Sequence, residues 1–430
     1  MNPFSLRELK RYLSKATHIL NLASTKRLLL SALFTLLILQ SGSAQFKLEK
    51  LSNTEAFEFR FIKNLIIIPL LINNKGPFNF VLDTGVGVFL ITDPGLVDSL
   101  QLPKSLRKIK VVGFGEGKEL EAAVTGNLDV AVNAVITGNL PAAILKEDAF
   151  DLSSYTGIPI HGLIGYEFFN SFTVRLNYMD KIIKVYRPEA RYFLRRAEAI
   201  PITIEAGKPY INAEVALNKT LSWVKLIIDT GAGHPLWLES IAGKRVEVPQ
   251  KNIRANLGVG LSGTIDGSMG RLSLLKLGKF ELKEVVAAFP DYEDVGSKVF
   301  AERNGNMGNA VLKKFEVIFD YQRSLLFLRP NYDFKKPFEH DMSGIELIYH
   351  SPDYSRLFIG RVEPGSAADL IGLEVNDEIV DINFRRAKDW NIDEIYQLFR
   401  SRPDKGILLT IIPKGEKKTQ VVVLTLKRRI

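Results

Sequence analysis

The sequence predicts a mainly β protein, built as two tandem copies of one β unit around a pseudo-two-fold axis and followed by a smaller β-rich module. Three observations predict it. An apolar run with strand character drives into Asp-Thr-Gly twice, as Phe80-Val81-Leu82-Asp83-Thr84-Gly85 and as Leu226-Ile227-Ile228-Asp229-Thr230-Gly231. The segments around each tripeptide recur in the same order over a long stretch. Beyond Pro330 the chain turns polar and charged, and a different pattern of apolar runs and Gly/Pro turns begins at Gly344.

From the N-terminus, residues 1–44 carry most of the charge imbalance. Arg7, Lys10, Arg11, Lys15, Lys26 and Arg27 stand against Glu8, a net of +5 within the +9 of the whole chain. The remainder is too diffusely charged to argue for nucleic acid. Lys26-Arg27, the apolar run Leu28 to Leu39 and the small residues Ser41-Gly42-Ser43-Ala44 read as an export signal with Gln45 as the mature start. The apolar run is short for a bilayer span, so cleavage is expected rather than a retained anchor. With no cysteine in 430 residues, an exported product must be held by its core. That suits a bacterial periplasmic, envelope or secreted protein better than a disulfide-stapled domain.

The first copy is expected over residues 45–190 and the second over 191–332. Each opens on strand-like segments around a turn, Leu65 to Leu71 with Asn73-Asn74-Lys75-Gly76, and Tyr210 to Leu217 with Asn218-Lys219. The aspartate closes the following strand, and a second apolar run comes after it, Val88 to Ile91 or Pro235 to Leu238. Next come glycine-punctuated hairpins at Gly113-Phe114-Gly115 and Gly258-Val259-Gly260. Each copy ends on an element terminating in glycine, Leu163-Ile164-Gly165 or Asn306-Met307-Gly308, then a strand starting at Phe172 or Phe315. Asp83 and Gly165 are 82 positions apart, Asp229 and Gly308 79. A charged linker, Glu189 to Glu198, joins the copies.

These residues resemble the retropepsin-like aspartic proteases from residue 60 to residue 330. The resemblance implies that Asp83 and Asp229 form a catalytic dyad facing one water. Two such carboxylates cannot both ionise comfortably, so they share a proton; one takes a proton from water while the other donates toward the scissile carbonyl. It further implies that Thr84 and Thr230 hydrogen-bond across the axis, and that Gly85 and Gly231 let donors reach the carboxylates. Gly165 and Gly308 would thread past the aspartate loops, where a side chain would collide, and the glycine-rich hairpins would be flaps. Ala232 conforms to the small residue expected after the motif, whereas Val86 departs from it, and Asn306 breaks the apolar pair before Gly308. His234 and Trp237 read as a loop and a core residue, and the five histidines have no metal-ligand spacing. No cofactor and no metal are expected.

Residues 340–430 are similar to bacterial PDZ domains. Leu357 to Val362, Glu363-Pro364-Gly365-Ser366-Ala367-Ala368 and Gly372-Leu373 through Asp377-Glu378-Ile379 carry the resemblance, and Asn391 with Glu394 predicts a capped helix over Ile392 to Phe399. By resemblance, a peptide would add to a sheet edge at Leu357, Phe358 and Ile359. The expectation is an exported aspartic endopeptidase acting on peptide or protein substrates, monomeric because one chain carries both aspartates, with a possible PDZ peptide ligand. Two alternatives stay open: a non-catalytic peptide-binding or scaffold protein, and lobes paired between chains.

Overall fold

The computed structural model describes residues 45–430 apart from 50, 104–105, 112–119, 218–219, 240–245, 261–262, 292–302 and 353. The export-signal segment and the Gly113-Phe114-Gly115 hairpin tip therefore lie outside the described residues. The fold is mainly β, as expected. Among the described residues no helix is long and apolar enough to cross a membrane.

In the first lobe the strands Leu65–Ile72 and Lys75–Leu82 form an antiparallel hairpin inside a nine-stranded sheet. Leu65 to Ile68 are buried without alternation, which is the pattern of a strand covered on both faces. The end of Lys75–Leu82 lies parallel to Gly162–Ile164, with Leu82 opposite Ile164. Gly162–Ile164 in turn runs antiparallel to Phe89–Ile91, which lies parallel to Ile136–Leu145.

The second lobe repeats this arrangement. Thr220–Asp229 lies parallel to Gly305–Gly308, with Asp229 opposite Gly308. Gly305–Gly308 runs antiparallel to Leu236–Leu238, which lies parallel to Phe280–Pro290. Parallel pairing of segments this far apart in sequence cannot come from local hairpins. Its recurrence makes the duplication one of tertiary structure as well as of sequence.

The lobes meet in a shared sheet. Thr173–Asn177 of the first pairs antiparallel with Phe315–Asp320 of the second, Val174 opposite Phe319 and Leu176 opposite Val317. Outside them lie Ile182–Tyr186 and Thr54–Glu58 on one side, Leu325–Pro330 and Glu198–Glu205 on the other. Val174, Leu176, Val317 and Phe319 are buried, and the Phe319 ring meets that of Phe169 at 5.1 Å. Buried Glu316 bridges Arg175 of the first lobe and Arg329 of the second.

The C-terminal module is a six-stranded antiparallel sheet flanked by Ile392–Phe399. That helix begins with the capping box of Asn391 and Glu394. Its sheet order runs Ile345–Tyr349, Leu357–Val362, Glu378–Ile382, Gly406–Ile412, Gln420–Thr425, with the short Arg385–Arg386 also paired to Glu378–Ile382. Leu357–Val362 is paired on both sides, to Ile345–Tyr349 and to Glu378–Ile382. The expected peptide groove at Leu357, Phe358 and Ile359 is therefore corrected: these residues have no free edge, and the edge strand is Ile345–Tyr349. Ile62 packs against the cores of both this module and the first lobe.

Because Phe319 sits where the lobes join, Phe319→Ala is expected to lower the unfolding free energy by about 3–5 kcal/mol. Urea denaturation followed by tryptophan fluorescence measures this.

Candidate active site

Each aspartate reaches the same place by the same local route. Asp83 N–H donates to Ile164 O at 2.8 Å, so the first chain leaves its sheet only at Thr84. Asp229 is the last residue of its strand. In each turn the glycine two residues on donates its N–H to the aspartate: Gly85 to Asp83 Oδ1 at 2.6 Å, Gly231 to Asp229 Oδ1 at 2.9 Å.

The turns are locked to one another by two fully buried threonines. Thr84 Oγ donates to Ile228 O at 2.6 Å and accepts from Thr230 N–H at 2.9 Å. Thr230 Oγ reciprocates, donating to Leu82 O at 2.8 Å and accepting from Thr84 N–H at 2.9 Å. Every polar atom of this interior knot is partnered, as burial demands.

With the turns so placed, the carboxyl groups converge. A Cβ on Gly85 would lie 2.9 Å from Asp229 Oδ1 and 3.0 Å from Asp83 Oδ1, and one on Gly231 would overlap the Asp83 carboxyl. Gly165 and Gly308 pass behind the turns. A Cβ on the first would strike Asp83 O and lie 2.6 Å from Val86 O; one on the second would strike His234 O and lie 2.6 Å from Ala232 O. Close approach, rather than an unusual dihedral angle, excludes side chains there. Burial first, and the neighbouring Asp229 charge second, push the Asp83 carboxyl well above the ordinary carboxylate range, with the Gly85 N–H and Lys208 opposing. Two carboxyls this close titrate as a pair.

Asn306 turns out to touch the dyad. Its Nδ2 donates to Asp229 Oδ2 at 2.9 Å, and its Oδ1 lies 2.8 Å from His234 Nε2. Since the amide N–H faces a carboxylate, Oδ1 must be the acceptor, and neutral His234 carries its proton on Nε2. Burial pushes His234 down from its ordinary value, which fits the neutral ring. His234 is thus a loop residue with a polar contact that sequence reasoning missed, while Trp237 is buried against Leu257 and Ile265 of the Asn252–Gly260 and Gly263–Leu277 hairpin. The available signal was the repeat itself: Asn306 occupies the position of Leu163, and a polar residue at a buried strand position calls for a partner.

Val86 serves its own turn. Its N–H donates to Asp83 O at 3.3 Å, its carbonyl accepts from Tyr166 N–H at 3.2 Å, and its side chain packs on the first-lobe core. Behind the second turn, buried Asn309 donates to Thr230 O at 2.6 Å and Asn64 O at 2.7 Å, and accepts from Tyr178 Oη at 2.7 Å. Among the described residues no three or more His, Cys, Asp or Glu side chains are grouped so as to hold a metal ion. The hairpin containing Gly258, Val259 and Gly260 is formed, and Gly258 takes φ +138° with open space around it.

Two β lobes, each contributing one aspartate to a common centre, define an aspartyl-protease-type unit, and the six-stranded module after it is a PDZ domain. Two family models match the same regions. The aspartyl protease family model matches residues 68–168, and the PDZ domain model matches residues 358–413. No curated protein matches the chain significantly. Among solved structures, the photosystem II D1 C-terminal processing protease is 19% identical over 20% of this chain, with a TM-score of 0.19; the match spans only 23% of that protein's length. An aspartic proteinase from Irpex lacteus is 11% identical over 66% of this chain and 99% of its own, with a TM-score of 0.43.

A carboxyl raised in the folded state binds its proton more tightly there than when unfolded. Its stabilising contribution is complete below the ordinary value of 3.8 and is lost as pH rises through the raised value. The unfolding free energy of the parent minus that of Asp83→Asn is therefore expected to fall as pH rises from the ordinary carboxylate range toward the raised value. Paired urea titrations at each pH measure it.

Proposed function

We propose that the protein is an exported aspartic endopeptidase that hydrolyses peptide bonds in extended segments through water held by Asp83 and Asp229. The observation that carries this reading is the convergence of both carboxyls on one point, with Asp83 pushed toward its protonated form. The monoanionic pair has the two functions the reaction needs. Asp83 donates its proton to the scissile carbonyl oxygen, while Asp229 accepts a proton from water as its oxygen attacks the carbonyl carbon. As the tetrahedral carbon collapses, Asp229 passes the proton it took from water to the departing nitrogen, Asp83 takes one back from a hydroxyl of the carbon, and the C–N bond breaks to give acid and amine. No bond to the protein forms.

Fixed N–H donors support the carboxylate that works as base: Gly231 on Asp229 Oδ1 and Asn306 on Asp229 Oδ2. Such donors are already oriented and do not have to reorganise during the reaction. Asn306, which breaks the apolar pair expected before Gly308, supports the hydrolytic reading through its contact with Asp229. With both aspartates on one chain, the site is proposed to be complete in a monomer.

Incubation with a mixed peptide library from acid to neutral pH, with and without a mimic carrying a hydroxyl in place of the scissile carbonyl, tests this. Cleavage blocked by the mimic is expected, whereas binding without cleavage at every pH would overturn it. Asp83→Asn and Asp229→Asn should each lower the rate by at least about 10²–10⁴-fold with the fold retained, as read by circular dichroism. The parent rate is expected to decline as pH rises through the raised Asp83 value. Asn306→Ala should lower kcat by about 10-fold or more with a smaller change in KM, since it removes a charge-assisted hydrogen bond worth about 1.5–3 kcal/mol.

A further inference from the structure

The PDZ module meets the protease unit through Ile345–Tyr349, an edge strand of its sheet. Strand-addition binding needs the free N–H and C=O groups of an edge strand, and C-terminus capture needs open amides in the loop before it. In this chain groups of both kinds are engaged from within. Leu347, in the middle of the edge strand, donates its N–H to Tyr396 Oη at 3.0 Å and accepts on its carbonyl from Lys63 Nζ at 2.7 Å. In the loop before the strand, Ser343 N–H and Gly344 N–H both donate to Asp341 Oδ1, at 2.9 and 3.0 Å. Asp341 thus stands where a terminal carboxylate would sit.

Lys63 comes from the first protease lobe and is only 6% exposed. Its Nζ lies 3.8 Å from the centre of the Tyr155 ring and 5.1 Å from that of Tyr396, and its backbone N–H donates to Asp393 Oδ1 at 3.0 Å. Its ammonium is pushed down to about 7, first by burial; Glu346 and Asp393 oppose this and Arg400 adds to it. Nearby, the Leu152–Thr156 helix ends at Gly157 directly against the ring of Tyr349, another edge-strand residue.

The same turn braces the second aspartate loop. Lys63 and Asn64 both adopt positive φ, 48° and 64°, in one tight turn. Asn64 Nδ2 donates to Gly233 O at 2.8 Å, and its Oδ1 accepts from Lys313 Nζ at 2.9 Å. Lys63 O presses on Gly233, where a Cβ would lie 2.7 Å away. Gly233 adjoins His234, the partner of Asn306. A second tie runs from Arg361 of the module to Asn256 in the Asn252–Gly260 hairpin, with Arg361 also bridging Glu346 at 2.8 Å.

We infer that the PDZ groove is an internal receptor: its occupant is the Lys63–Asn64 turn of the same chain, and by holding that turn the module braces the Gly231–His234 loop beneath Asp229. It follows that a free peptide enters the groove only when the turn undocks, and that undocking loosens the aspartate loop. The inference stands on contacts between the module and the lobe, not on hydrolysis.

Hydrogen exchange by mass spectrometry on the full chain tests it. Lys63→Glu, which sets a carboxylate against Leu347 O beside Glu346 and Asp393, should speed exchange at least tenfold both in residues 345–349 and in residues 231–234. Lys63→Met, which keeps the packing on Tyr155, carries the same expectation in weaker form and serves if Lys63→Glu does not fold. Tyr396→Phe should speed exchange at Leu347 with little change at 231–234. A pool of random decapeptides ending in an apolar residue should leave residues 345–349 of the parent unprotected, yet protect them in the Lys63 variant. Faster exchange at 345–349 with no change at 231–234 in the Lys63 variants would overturn the bracing. Protection of the parent's edge strand by the pool would overturn the occupancy.

Discussion

The architecture depends on the reciprocal contact between Thr84 and Thr230. Each hydroxyl accepts from the opposite turn's amide and donates to the carbonyl just before the opposite aspartate. Four hydrogen bonds in a buried environment leave no polar group that could relax toward water, so the relative position of the turns is set tightly. The aspartates are the residues immediately before these threonines. Their convergence follows from the knot: whatever cost arises from bringing two carboxyls together is borne by the surrounding sheets.

Those sheets make the cost bearable. The parallel pairings of Lys75–Leu82 with Gly162–Ile164, and of Thr220–Asp229 with Gly305–Gly308, place each turn after a continuously buried run, Phe80 to Leu82 and Leu226 to Ile228. The shared sheet through Thr173–Asn177 and Phe315–Asp320 then ties the lobes together at a distance from the knot. A carboxyl raised by burial and by a neighbour is a local instability, and it persists because the rest of the structure over-determines its position.

The two halves are alike in backbone but not in the surroundings of their aspartates. Leu163 in the first half has Asn306 as its counterpart, and only the second aspartate receives an amide donor from that strand. The same side carries the brace from Lys63 and Asn64 to Gly233. Symmetry brings the carboxyls together, and these departures from symmetry give them different surroundings. The PDZ module thus contacts Lys63 of the turn whose Asn64 reaches Gly233 of the second aspartate loop.

Much of this was legible in the sequence because it is periodic or repeated. Two apolar strands ending in Asp-Thr-Gly, glycines at matching distances, and the Asn391 to Glu394 cap are local patterns, and local backbone physics alone produces them. The contact of Asn306 was not legible: it depends on parallel register with Thr220–Asp229, which places Asn306 opposite Ile227, two residues before the aspartate and on the same side of the strand. Nor could the sequence say which of Ile345–Tyr349 and Leu357–Val362 is the sheet edge, since both are short apolar runs and edge position is a property of the assembled sheet. Lys63 was invisible for the same reason, as a lone lysine in a turn reads as solvated until packing buries it. The sequence by itself determined the repeated strands and the identity of the two acids; only the tertiary structure decided their partners, because hydrogen bonds between distant segments are set by register and packing rather than by neighbouring residues.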